Sequence, residues 1–171
     1  PLHHGGHHEL NRRAGTENVS GIVGFGKASE LAFEELERNR ENIEPLRDHF
    51  WEKIRQGIDH VYLNGHPTKR LPNTLNVTFE FIEGESLVIN LDLFGIATST
   101  GSACTSGALE PSHVLIAMGV PALQAQGSLR LSIGRESTQE EVDQTVDVLK
   151  ETVRRLRSMS PFYADLKVKR R

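Results

Sequence analysis

The stretch NTLNVTFEFI at residues 73–82 decides the fold. Leu75, Val77, Phe79 and Phe81 fall on one side of an extended chain, and Thr74, Asn76, Thr78 and Glu80 fall on the other. A strand with one apolar and one more polar face belongs to a sheet that helices cover on one side. Ser128 to Ile133 repeats the pattern, with Leu129, Leu131 and Ile133 on one face and Arg130 and Ser132 on the other. Val61-Tyr62-Leu63-Asn64 reads as a short strand, and Ile96 to Thr98 as a further candidate.

Helical spacing surrounds these strands. From about Gly21, Phe25, Ala28, Ala32 and Leu36 recur at three- and four-residue steps, and Ile43, Leu46, Phe50 and Ile54 resume the period. Pro45 would interrupt a continuous helix, and Asn42 can cap a new one with Pro45 in its first turn. Two helices or one kinked helix ending near Gly57 are therefore expected. Glu85 to Phe94 reads as a buried helix stopped by Gly95, and Pro111 to Met118 as a short one closed by Gly119. The last helix begins at a capping box, Thr138 with Glu141, and carries the stripe Val142, Val146, Leu149, Val153 and Leu156. Arg154, Arg155 and Arg157 in its final turns complement the helix dipole. The pattern is that of an α+β two-layer domain after a helical lead-in.

Composition narrows the function. The 171 residues carry a net charge of −3 with 37% hydrophobic residues, a globular composition without the basic footprint of a nucleic-acid binder. No apolar run nears the roughly 20 residues that span a bilayer. One cysteine cannot form an internal disulfide, which fits a reducing, cytoplasmic setting.

That cysteine, Cys104, lies in STGSACTSG at 99–107. A lone cysteine is often a small buried hydrophobe, but these glycines and small polar residues offer no apolar wall. They predict a mobile loop with an accessible thiol, and nothing adjacent in sequence lowers its pKa. Arg130 stands among Ser128 and Ser132 on the polar side of its strand. A guanidinium there can offer a fork to a carboxylate, although spacing alone more often marks a solvated or ion-paired arginine. Arg135 reads as structural. Thr16 follows Gly15 in a polar turn, where a hydroxyl and a main-chain N–H can meet a phosphate. His3, His4, His7 and His8 cluster without a supporting frame except Glu9, so no metal site is assigned.

The set as a whole is more specific than its parts. RRAGTENV at 12–19, NTLNVTFEFIEGESLV at 73–88, ATSTGSACTSGALEPSHVL at 97–115, GSLRLSIGRESTQEEVD at 127–143 and RLRSMSP at 155–161 together resemble the C-terminal portion of cysteine desulfurases of the NifS/IscS group. The form GSACTSG resembles the long-loop members that feed iron–sulfur cluster assembly. The resemblance implies an α/β enzyme of pyridoxal phosphate fold type I, in the class V aminotransferase family, working as a homodimer. It implies conversion of L-cysteine to L-alanine, with Cys104 as the nucleophile that takes the substrate sulfur as a persulfide. It also implies that Arg130 holds the substrate carboxylate and that Thr16 contacts the pyridoxal phosphate of the partner subunit, with Arg13 supporting that turn. An iron–sulfur scaffold or another acceptor protein would receive the sulfur.

Two departures accompany it. Residues 5–11, GGHHELN, stand where many relatives read GGGQERG, which marks a divergent subfamily. None of Lys27, Lys53, Lys69, Lys150, Lys167 or Lys169 matches the lysine that forms the Schiff base, which in this family lies further upstream. The expectation is a chain that is part of a longer polypeptide or one half of a split one, unable to turn over alone. Residues 1–20 would be the tail of a large cofactor-binding domain, 21–57 a linking helix region, and 58–171 the small domain with the cysteine loop. Two other readings compete. One is a class V aminotransferase or selenocysteine lyase, against which the cysteine loop argues. The other is a non-catalytic sulfur-carrier or docking module.

Overall fold

The computed structural model describes residues 1–100 and 111–164. The chain divides into two compact units, Pro1–Arg38 and Asn39–Arg171.

In the first unit, His8–Asn11 (α1) is a single turn in which Glu9, Leu10 and Asn11 hold positive φ, between +52° and +63°. Val19–Glu34 (α2) follows, started by Asn18, whose side chain accepts from the Gly21 N–H at 3.1 Å. A further helix, Leu36–Gly57 (α3), begins after a break at Glu35. The break thus falls seven residues before Asn42, and α3 runs straight through Pro45. A mid-helix proline forfeits one main-chain bond. The apolar stripe of Phe50 and Ile54, buried in the core, keeps the helix continuous across it.

The second unit holds the sheet. Val61–Leu63 (β1), Thr74–Phe79 (β2) and Ser128–Ser132 (β3) pair antiparallel in the order β1-β2-β3. Gly84–Asp92 (α4), His113–Ala117 (α5), Ala122–Gln126 (α6) and Gln139–Met159 (α7) complete it. The expected α+β layer is present. Leu75, Val77, Phe79, Leu129, Leu131 and Ile133 share one core cluster with Phe50 and Ile54 of α3, Leu87 and Leu91 of α4, and Val142, Val146, Leu149 and Val153 of α7. The capping box of α7 forms in full: Glu141 N–H donates to Thr138 Oγ1 at 3.2 Å, and Thr138 N–H donates to Glu141 Oε2 at 2.8 Å.

Two other expectations need correction. Ile96–Thr98 forms no strand; pairing is confined to a single bridge at Ser99. The helix α4 is buried only at Gly84, Leu87 and Leu91, while Ile89, Leu93 and Phe94 face outward. Arg157 lies in the last turn of α7, as expected, and is tied to other segments as well. It is 4% exposed and donates to three main-chain carbonyls of other segments: Asp59 at 2.7 Å, Glu80 at 3.0 Å and His60 at 3.0 Å.

Candidate functional site

The polar side of the sheet carries the site. Arg130 pairs with Asn76 of β2 on one side and with Ser99 on the other. Arg130 N–H donates to the Ser99 carbonyl at 2.6 Å, and Ser99 N–H returns to the Arg130 carbonyl at 3.3 Å. With both main-chain groups spent on Ser99, Arg130 and Asn76 form a non-hydrogen-bonded pair, the kind whose side chains lie closest. Asn76 in turn receives the Asn64 amide on Oδ1 at 2.7 Å, and the same amide reaches Thr78 Oγ1 at 2.9 Å. One row therefore crosses the sheet: Asn64, Asn76, Arg130, Ser99. The Arg130 side chain is exposed and has no hydrogen-bond or ion-pair partner among the described residues. A guanidinium fixed at its root by a sheet, with its fork open, is suited to receive a carboxylate.

Ser99 and Thr100 are thus not the start of a loop, as the run of small residues suggested. Ser128, 1% exposed, directs its hydroxyl to the Thr100 carbonyl at 3.4 Å. Two glycines permit this packing. A Cβ on Gly84, the first residue of α4, would collide with the Ser128 carbonyl oxygen and come within 3.2 Å of Thr100 Cγ2. A Cβ on Gly127 would collide with the Phe79 carbonyl oxygen, to whose residue Gly127 is already tied by Phe79 N–H at 2.9 Å. Thr98 Oγ1 is buried and has no hydrogen-bond partner among the described residues.

Cys104, and the loop expected around it, lie outside the described residues. Thr16 belongs to the first unit, where its side chain is exposed and its carbonyl accepts from Arg13 Nη1 at 3.3 Å. Gly15 before it has φ +97°, with open space where a Cβ would stand, so its conformation and not crowding calls for glycine. A threonine hydroxyl, main-chain N–H groups and the Arg13 guanidinium make a donor set of the chemistry a phosphate needs. That set fits one corner of a pyridoxal phosphate site. Among the described residues no three His, Asp or Glu side chains gather as metal ligands, and no helix is long and apolar enough to cross a membrane.

Sequence reasoning missed Asn64, Asn76, Ser99, Ser128 and Gly84. The alternation around Asn76 and Ser128 placed them on the polar face, but only the register says which of them adjoin Arg130. The Ser99 bridge falls one residue past the strand candidate at Ile96 to Thr98, and nothing in the sequence singled out Ser99 itself.

Residues 4–145 match the family described as aminotransferase class-V. Across its full length the chain is 48% identical to a cysteine desulfurase IscS of Dictyoglomus turgidum, of which it covers 43%. Over 95% of its length it is 57% identical to a cysteine desulfurase IscS of Methanosarcina thermophila, covering 40% of that protein. Among solved structures, a NifS-like protein is matched with a TM-score of 0.74 at 37% identity, over 88% of this chain and 38% of that one. A NifS-like protein from Rickettsia africae gives a TM-score of 0.76 at 31% identity, over 89% and 39%. The chain spans about two fifths of the length of these relatives.

Proposed function

The chain belongs to the aminotransferase class-V family, and from that premise we propose that it forms the small-domain part of a cysteine desulfurase. The carrying observation is Arg130, a sheet-rooted guanidinium with an open fork, bridged by main chain to the stem that leads into the segment bearing Cys104. In this reading Arg130 binds the substrate's α-carboxylate. The Cys104 thiolate attacks the substrate sulfur: an S–S bond forms, the C–S bond breaks, and the electron pair left on carbon is met by a proton. L-cysteine and a protein thiol become L-alanine and a protein persulfide, so atoms balance and no outside oxidant is needed.

Pyridoxal phosphate, the cofactor associated with this family, supplies an electron sink when bound. Thr16 and the main chain that follows Gly15 would hold its phosphate, with Arg13 bracing the turn, in a homodimer where each chain serves its partner's site. The persulfide passes to an iron–sulfur scaffold or another acceptor protein, in the cytoplasm. The desulfurase reading is supported by the names of the relatives, and one cysteine, hence no internal disulfide, fits a reducing setting.

The test is an assay of the whole protein for L-alanine and sulfide from L-cysteine under reducing conditions. The wild type should produce both, and Cys104→Ser should lose at least about a hundredfold in sulfide release, as loss of a reacting nucleophile does. A Cys104→Ser protein that releases sulfide at the wild-type rate overturns the role. Alanine formation without any sulfur appearing on the protein would favour a lyase, and 3-mercaptopyruvate in place of alanine a transaminase.

A further inference from the structure

We propose that Asn76, aimed by Asn64, is a second anchor for the substrate carboxylate, an inference that rests on the reading of Arg130 as the residue that binds it. Asn76 stands directly opposite Arg130 across β2 and β3. The pair is of the non-hydrogen-bonded kind, whose Cβ atoms lie about 5 Å apart. Asn64 fixes the orientation of the Asn76 amide: its Nδ2 donates to Asn76 Oδ1 at 2.7 Å and to Thr78 Oγ1 at 2.9 Å. Asn64 is itself held, since its main-chain N–H donates to the Asn76 carbonyl at 2.8 Å and its own carbonyl accepts from Arg70 Nη2 at 3.1 Å. With Oδ1 turned toward β1, the Asn76 NH2 group is turned away from it, to the side where Arg130 stands. Neither that NH2 group nor the Arg130 guanidinium has a hydrogen-bond partner among the described residues.

Two donors side by side, with no acceptor from the protein between them, make a place for an anion. A guanidinium has donors only, and an amide NH2 cannot accept from it, so Asn76 does not brace Arg130. The row Asn64, Asn76, Arg130, Ser99 contains no carboxylate of its own. An α-carboxylate suits both donors, because its two oxygens offer about four lone-pair sites for the fork and the amide to share. A fork alone leaves the carboxylate free to swing about the line between them. A third donor from the neighbouring strand fixes that rotation, and with it the direction of the carbon that follows. Both donors are rooted in strands whose register the buried pairs Leu75–Leu131 and Val77–Leu129 set. Asn76 is partly buried where Arg130 is exposed, so its hydrogen bond is the better shielded from water.

The experiment compares Asn76→Ala and Asn76→Asp with the wild type, each as the whole protein loaded with pyridoxal phosphate. Three quantities are read: kcat and KM for L-cysteine, the affinity for L-alanine by calorimetry, and the melting temperature. Asn76→Ala removes the donor, and should raise KM and weaken L-alanine by about tenfold, the scale of one hydrogen bond to a charged acceptor. Its kcat should stay within about twofold, as expected for a contact made equally before and during the reaction. Asn76→Asp keeps the size of the side chain and the acceptor for Asn64, so its melting temperature should equal or exceed that of the wild type. It also sets a carboxylate against Arg130, and should weaken both ligands by about a hundredfold. A purely structural role demands the opposite order, with aspartate milder than alanine. Equal affinities in Asn76→Ala and the wild type, or an Asn76→Asp protein that binds as the wild type does, overturn the inference. A wild type that makes no alanine from L-cysteine refutes the desulfurase reading instead. The L-alanine affinities then still decide the anchor, and a wild type without measurable affinity for L-alanine overturns it too. Should Asn76→Ala fail to fold, Asn76→Asp carries the test.

Discussion

Replacing Arg157 by alanine should unfold the small domain far more easily than its place on a surface helix suggests. The guanidinium donates to the carbonyls of Asp59, His60 and Glu80 and lies over the Tyr163 ring, 5.6 Å from its centroid. It thereby ties α7 to the turn before β1 and the turn after β2. Both turns contain residues in the left-handed region, His60 at φ +53° and Phe81 at φ +70°. Each such residue costs about 1–3 kcal/mol unless its surroundings hold it. Hydrogen bonds from an ionised donor contribute about 1.5–3 kcal/mol each, so three give roughly 4.5–9 kcal/mol gross. The truncated side chain no longer needs desolvating, which returns several kcal/mol and leaves about 3–5 kcal/mol net. Burial already disfavours the charge, holding the Arg157 pKa below its usual value against the opposing pull of Tyr163, Asp59 and Glu80. At about 3–5 °C per kcal/mol for a domain of this size, the melting temperature should drop by about 10–20 °C. Lysine offers a point charge without the planar fork, so Arg157→Lys should recover about half of the loss. A thermal and urea melt of the whole protein checks both. A loss below about 1 kcal/mol for alanine would refute the staple.

Arg130→Ala should raise KM for L-cysteine by on the order of a hundredfold, from roughly 3 kcal/mol of lost charge-assisted binding, with little change in melting temperature because the side chain is exposed; steady-state kinetics read it, and an unchanged KM refutes the carboxylate role. At low pH, Asp143 should contribute to acid unfolding: the hydrogen bond from His49 at 2.9 Å and the Lys53 charge at 3.5 Å lower its pKa. A depressed carboxylate stabilises the fold above its unfolded value of about 3.9, and that contribution disappears as pH falls through the lower folded value. Asp143→Asn should therefore flatten the acid limb of a stability–pH curve below about pH 4, and an unaltered limb would refute the bridge.

Most of the core was legible because burial and periodicity coincide there. Leu75, Val77 and Phe79, Leu129 and Leu131, and the stripe from Val142 to Val153 are both regularly spaced and fully inside. Legibility failed where a local rule met a tertiary constraint. Pro45 signals a helix start, yet the core contacts of Phe50 and Ile54 carry α3 past it. Arg157 satisfies the helix-dipole rule by position, yet its acceptors are carbonyls 77 to 98 residues away in sequence. The five-residue α6, capped by Gly127, is too short for a period to emerge.

The site shows why its chemistry was readable and its support was not. Alternation placed Arg130 on the polar face, and the same alternation placed Asn76, Thr78, Ser128 and Ser132 there too. Which of these adjoins the arginine depends on register, and register depends on the pairing of Leu75 with Leu131 and Val77 with Leu129 across the buried face. A slip of one residue would turn Arg130 into the core and Leu131 out of it, at a cost no sheet with this apolar face could absorb. The hydrophobic side of the sheet thus fixes the address of the arginine on the other side. Ser99 inherits that address through its main-chain bridge to Arg130. Core packing and the place of Arg130 beside Asn76 and Ser99 are in this way set by one register, so a core substitution that shifts the pairing of Leu75 with Leu131 should be felt on the polar face as well.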